Sequence, residues 1–171
     1  MSNYLIACIC EGSFEQAIIE ILLEHDQLIF SIDQLLEKEV LRCRKAANFQ
    51  NRYLDKAMNK PIKVYRILDS RNENFKLSKP YAKKVEIINI ITAPEIEMLI
   101  IHAENKYNEY SRSRMKPSEF VISALKMRSV KTYDFAKNYF SNIDQLLDAI
   151  QQYHSKANLP KNELTLKDLL K

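Results

Sequence analysis

The sequence predicts an α/β fold: a mainly parallel sheet flanked by helices, with a helical C-terminal extension. Three observations predict it. Residues 4–10, Tyr-Leu-Ile-Ala-Cys-Ile-Cys, form a near-continuous apolar run that stops abruptly at Glu11-Gly12, as a central strand covered on both faces does. Two further strand-like runs, Ile62–Leu68 and Val85–Ile91, follow at distances that leave room for helices between them. From about Lys116 onward the apolar residues recur only at helical spacing. Strands that alternate with helices favour a parallel sheet with right-handed crossovers, and ligands of such sheets gather at the carboxyl ends of the strands.

In chain order, Phe14, Ala17, Ile18, Ile21 and Leu22 predict a helix over Ser13–Glu24. Leu28, Ile29 and Phe30 suggest a short strand, after which Ser31 or Asp33 caps a helix carrying Ile32, Leu35 and Leu36 on one face. A longer helix is expected over residues 45–58, ended by Pro61 before the strand Ile62–Leu68. Residues 70–84 are polar and contain Pro80, which predicts a loop with one helical turn. After the strand Val85–Ile91, Thr92 or Ala93 is expected to cap a helix with Pro94 in its first turn and Ile96, Leu99, Ile100 and Ala103 on its apolar stripe. Residues 1–110 thus read as the α/β core, and 111–171 as a helical extension packed on the same domain.

A chain of 171 residues suffices for one domain with a real core. No apolar run approaches the roughly 20 residues that span a membrane. Residues 4–10 lack a basic leader and run straight into Glu11, so they read as a strand rather than a signal peptide. Cys8 and Cys10 lie two apart on one strand and Cys43 stands alone, a pattern of reduced thiols that suggests a cytoplasmic protein. The net charge of +4 permits a nucleic-acid partner. Basic residues cluster at Arg42, Arg44, Lys45, Arg52, Lys56 and Lys60, at Lys79, Lys83 and Lys84, and at Arg112, Arg114 and Lys116. These are either solvated faces or phosphate contacts. Tyr107, Tyr110, Tyr133, Tyr139 and Tyr153 either pack between helices or stack on unpaired bases. No Walker or Rossmann glycine pattern is present. The single glycine, Gly12, marks a place that needs a positive φ or the close approach of a ligand.

The acids are the informative residues. Glu11 ends the first strand, with Glu15 one helical turn on; Asp69 ends the third; Glu95 and Glu97 follow the fourth. If the strands are parallel neighbours, Glu11, Asp69 and one of the last two converge on one edge. Mg²⁺ (or Mn²⁺) takes a few carboxylate oxygens together with waters and substrate phosphate. Arg66 and Arg71 flank Asp69, and either grip a phosphate or form an ion pair with Asp69 or Glu97. Lys79 is a further candidate for the phosphate backbone. His102, five residues past Glu97, reads as a packed histidine.

Three segments carry a family resemblance. Cys10-Glu11-Gly12 followed by Ser13-Phe14-Glu15 resembles the start of a Toprim domain, whose first strand presents a glutamate before a glycine. Ile67-Leu68-Asp69-Ser70-Arg71 resembles the Toprim strand ending in Asp-x-Asp. Thr92-Ala93-Pro94-Glu95-Ile96-Glu97, running on to His102, resembles the Ser-Asn-Pro-x-x-Glu-x-x-x-x-His segment of RloB-like proteins, Toprim-related proteins of bacterial defence loci similar to the abortive-infection component AbiLii. The resemblance covers residues 4–105. It implies a Toprim-like sheet and an Mg²⁺-dependent nuclease acting as a toxic antiphage effector beside an ATPase partner, in a chain that often works as a dimer. It further implies Glu11 as acid/base or metal-associated residue, Asp69 as metal ligand and Glu97 as the match to the RloB-like glutamate. Two positions depart from it: Arg71 stands where a second aspartate is expected, and Thr92-Ala93 where Ser-Asn is. Either Glu73 or Glu97 replaces the missing carboxylate, or metal binding is weaker, or the domain is a non-catalytic interaction or regulatory module.

Overall fold

A computed structural model of the chain describes residues 4–55 and 60–171. The four strands β1 (Leu5–Cys10), β2 (Leu41–Arg42), β3 (Ile62–Leu68) and β4 (Val85–Ile91) form one sheet in the order β2-β1-β3-β4. Every pairing is parallel, so the predicted α/β class holds. β3 and β4 keep the bounds read from the sequence, and β1 begins one residue later than the apolar run.

Alternation along these strands serves two cores, because successive side chains point to opposite faces. Ile6, Cys8 and Cys10 of β1, with Tyr65, Ile67 and Ile90, face one core. The helices α1 (Ser13–Glu24), α4 (Met98–Ala103), α6 (Pro117–Ser123), α7 (Tyr133–Tyr139) and α8 (Ile143–Lys156) contribute to that core. Ala7, Ile9, Ile62, Val64 and Val85 face the other, where α2 (Ala46–Phe49), the π-helical turn Gln50–Leu54 and Phe75 cover them. Cys8, Cys10 and Cys43 are free thiols, the first two fully buried. The C-terminal helices share the core of α1: Phe14 stacks on Phe135 and meets Phe140 edge-on. No helix among the described residues is long and apolar enough to cross a membrane.

Four expectations need correction. Leu28–Phe30 is not a sheet strand. Leu28 makes an antiparallel bridge with Leu170, and the Ile29 N–H donates to the Leu169 carbonyl at 2.9 Å, so the chain's own tail takes these apolar residues. The strand beside β1 at one edge of the sheet is instead Leu41–Arg42, two residues long. Ile32, Leu35 and Leu36 do not share a helix: they lie in and around two 3₁₀ turns, Ile32–Gln34 and Leu36–Lys38, and Ile32 is exposed. The predicted helix over 45–58 is helical from Ala46 to Leu54, and its last three residues lie outside the described ones. Finally, Pro94 does not open a helix. The Ala93-Pro94 peptide is cis and α4 begins only at Met98, with Glu97 as its N-cap. Residues 92–97 are held as a turn because the Thr92 hydroxyl and the Ile96 N–H both donate to Asp69. The polar 70–84 segment does hold one helical turn, α3 (Lys79–Ala82), and α5 (Tyr107–Ser113) precedes the helices expected from Lys116 onward.

Candidate active site

The carboxyl ends of β1, β3 and β4 are adjacent, so the residues that end them meet at one edge. Glu11 and Gly12 follow β1, Asp69 follows β3, and Glu95 and Glu97 follow β4. Asp69 accepts the Thr92 hydroxyl at 2.6 Å, which ties the end of β3 to the turn after β4. Burial raises its carboxyl, the Thr92 bond lowers it, and the charge of Glu95 raises it again. Glu97 is 2% exposed and its Oε2 has no hydrogen-bond partner. Burial pushes this carboxyl up to about 7; its own backbone N–H and Lys131 pull it down, and Glu95 and Asp69 push it up.

Lys131, in the loop between α6 and α7, is the cation of this cluster. Its Nζ stands 3.7 Å from Glu95 Oε1 and 3.7 Å from Glu97 Oε1, while Glu95 Oε2 accepts the Ser118 N–H at 2.8 Å. An exposed ammonium at those distances compensates two carboxylates weakly. Nothing in the sequence around Lys131 marks it, since its neighbours carry only helical spacing.

Glu15 joins the two halves of the edge. It is buried, its carboxyl is raised first by burial, and both Asp69 and Glu11 raise it further. Gly12 is explained by the same residue. Its φ of −117° is extended, so no left-handed backbone is needed there, contrary to one half of the expectation. The close approach comes from a side chain: a Cβ on Gly12 would overlap the Glu15 carboxylate and stand 3.0 Å from its Cδ. The carboxylate is the end of a flexible side chain, so Gly12→Ala should cost at most about 1 kcal/mol as Glu15 swings aside, and Glu15→Ala in the same chain should relieve that cost. Chemical denaturation of the two single variants and the double variant checks it; a Gly12→Ala cost that Glu15→Ala leaves unchanged rules out this role for Glu15.

On the other side, Glu11 lies with Glu73 and Arg66. Burial raises the Glu11 carboxyl, the charge of Glu73 adds to it, and Arg44 and Arg66 pull it down. Glu11 Oε1 is buried without a partner. Arg42 holds the β1–α1 turn from β2, donating from Nη1 to Ser13 Oγ at 2.8 Å and from Nη2 to the Glu11 carbonyl at 3.3 Å. Arg42 and Arg44 appear in the sequence only as part of a basic run.

The flanking arginines take neither of the ion pairs expected of them. Arg66 is 1% exposed, lies over the Phe75 ring and stands 3.4 Å from Glu73, not beside Asp69 or Glu97. Arg71 forks onto Glu163, from Nε at 2.6 Å and from Nη2 at 2.8 Å. Lys79 is exposed at the start of α3. His102 is buried with Nε2 unpartnered, stacked on Tyr107 and edge-on to Tyr153.

Among the described residues, no three or more His, Cys, Asp or Glu side chains are grouped so that they alone could hold a metal ion. Magnesium does not require such a cage, because it keeps waters and takes one or two carboxylates plus substrate phosphate. The donors fit that demand: they are hard oxygens, and Glu97 Oε2 and Glu11 Oε1 are buried without partners. No family model, curated protein or solved structure matches the chain.

Proposed function

We propose that this edge is an Mg²⁺-dependent site for cleaving a nucleic-acid phosphodiester, of the Toprim type suggested by the three motifs. The observation that carries the reading is the under-neutralised acid: Glu11, Glu15, Asp69 and Glu97 all have raised carboxyls at one sheet edge. Asp69 and Glu97 are the residues that would hold Mg²⁺ or Mn²⁺, with Glu95 beside them. The chemistry the ion supplies when bound is polarisation of a phosphoryl oxygen. Glu11 is the residue that moves a proton, at its unpartnered Oε1. Lys131, 3.7 Å from Glu95 and Glu97, would neutralise a substrate phosphate. The same resemblance supports a toxic antiphage effector working with an ATPase partner.

The test is a thermal melt against divalent metal. Mg²⁺ or Mn²⁺ should stabilise the chain, by about 2.7 kcal/mol at a hundred times its dissociation constant, and Asp69→Asn should remove that gain. Glu11→Gln should keep the gain and lower cleavage of a mixed DNA and RNA substrate by about 100-fold or more. A wild type that millimolar metal does not stabilise would refute the reading. One observation favours a second reading, a non-catalytic interaction module: Arg71 stands at the expected second aspartate and is already paired with Glu163. That module predicts no metal-dependent stabilisation and no cleavage.

A further inference from the structure

Beside the acidic edge lies a second feature, a cavity of about 250 Å³ between α4, α5 and α8. His102, Tyr107, Tyr110 and Tyr153 line it, together with the exposed side chains of Lys156 and Arg71. We propose that this cavity seats one unpaired nucleobase of the substrate, with its phosphate against Arg71 and Lys156. The proposal deepens the nucleic-acid reading of the acidic edge and rests on it for the substrate class.

Four features support a base rather than another guest. The volume lies below the roughly 300–1,000 Å³ of ordinary ligand pockets, the scale of a single planar ring system. Three tyrosines and an imidazole give it aromatic walls, and base–aromatic stacking tolerates any base. His102 Nε2 is a buried polar atom with no partner, a group that costs free energy unless a guest satisfies it. Burial lowers the imidazole to about 4, so the ring is neutral near pH 7 and Nε2 is a donor or an acceptor according to the tautomer. A base edge carries a complement to either.

The cavity is also joined to the acids. Ala93 and Pro94 line it, and the Tyr153 hydroxyl donates to the Ala93 carbonyl at 2.7 Å, one residue from Thr92 and its bond to Asp69. Glu163 takes Arg71 Nε and Nη2, and Nη1 is uncommitted among the described residues. A phosphate held by Arg71 is two residues along the chain from Asp69.

The experiment titrates the four nucleoside 5′-monophosphates into the full chain with EDTA present. Binding is followed by tyrosine fluorescence, which no tryptophan obscures, and by the ¹⁵N shift of His102 Nε2. Saturable binding of at least one nucleotide is expected, with ribose 5-phosphate and inorganic phosphate weaker by about 10-fold or more. Tyr107→Ala should weaken it about 10-fold while Tyr107→Phe retains it, and Lys156→Glu, at an exposed position, should weaken it without touching the fold. The proposal is overturned if no nucleotide binds, if ribose 5-phosphate binds equally well, or if Lys156→Glu and Tyr107→Ala both bind as the wild type does. Nucleotide binding in a chain that metal does not stabilise keeps the pocket and removes the cleavage reading. Metal stabilisation without nucleotide binding does the reverse.

Discussion

With divalent metal chelated, Glu97→Gln should gain on the wild type, in stability, by on the order of 3 kcal/mol as pH rises from about 4 to about 8. Burial holds the Glu97 carboxyl at about 7 against an ordinary 4.5. The folded state therefore binds this proton more tightly than the unfolded chain. The stability it contributes is fully present below 4.5 and is lost as pH rises through about 7. Glutamine removes that loss. His102 has the opposite sign: its pKa is about 4 against an ordinary 6.5. Its contribution is present above 6.5 and is lost as pH falls through about 4. His102→Phe, which keeps a ring against Tyr107, should therefore gain on the wild type at the acid end by a similar amount. Asp69, Glu11 and Glu15 share the sign of Glu97, so the wild-type profile is the sum of several carboxyls opposed by one imidazole. The charges that bear on Glu97 are those of Lys131, Glu95 and Asp69, and the one that bears on His102 is that of Lys156. Urea denaturation of the three proteins across this range checks both halves. A stability difference between Glu97→Gln and the wild type that does not vary with pH would show that Glu97 is ionised at no cost, and the acidic edge would lose its reason to bind a cation. Saturating Mg²⁺ should shrink the pH dependence of that difference, because a cation beside the carboxylate favours its charged form.

The sequence made β1 legible because a central parallel strand is buried on both faces and so apolar throughout, and it made β3 and the edge strand β4 legible through their β-branched runs, although β3 carries Lys63 and Arg66 and Glu86 and Asn89 of β4 are exposed. The stops at Glu11 and Asp69 were legible for the same reason: a charge ends a run that burial would not tolerate. β2 was not legible, since Leu41 is the only apolar residue of a two-residue strand and a basic run follows it. Leu28–Phe30 looked more like a strand, and what overruled it was Leu169 and Leu170, at the far end of the chain. The lone glycine pointed to the right turn, but its cause was a carboxylate rather than a backbone angle. The site's cations were the hardest to read. Lys131 reaches Glu95 and Glu97 from a loop more than thirty residues away, and Arg71 finds its partner 92 residues on. Spacing along a chain carries no signal for pairs that only tertiary packing creates.

Arg66 separates packing from charge behind the same edge. It is among the largest fully buried side chains, yet its guanidinium is poorly satisfied. Glu73 stands at 3.4 Å, Asn89 at 3.5 Å, and Nε has no partner. Burial lowers its pKa, a sign that desolvation outweighs what Glu73 and Glu11 return. Its planar group lies 4.4 Å from the Phe75 ring centroid, so much of its worth is packing. Arg66→Ala should therefore cost about 2–5 kcal/mol, as truncation of a large core side chain does. Arg66→Met, which refills the volume without the charge, should lie within about 1 kcal/mol of the wild type or above it, because replacing a desolvated ion pair by apolar atoms is often neutral or favourable. Glu73 is left half-exposed and can turn to water, so no buried charge is stranded there. Glu11 is different: without Arg66 it keeps Arg44 as its counter-charge, and its carboxyl should move further up. Denaturation of the two variants tests the first part, and a carboxyl-carbon NMR titration of Glu11 in Arg66→Met tests the second. Equal losses from alanine and methionine would mean that the charge, not the volume, holds this end of β3, and that the acids at the sheet edge depend on Arg66 as their counter-ion.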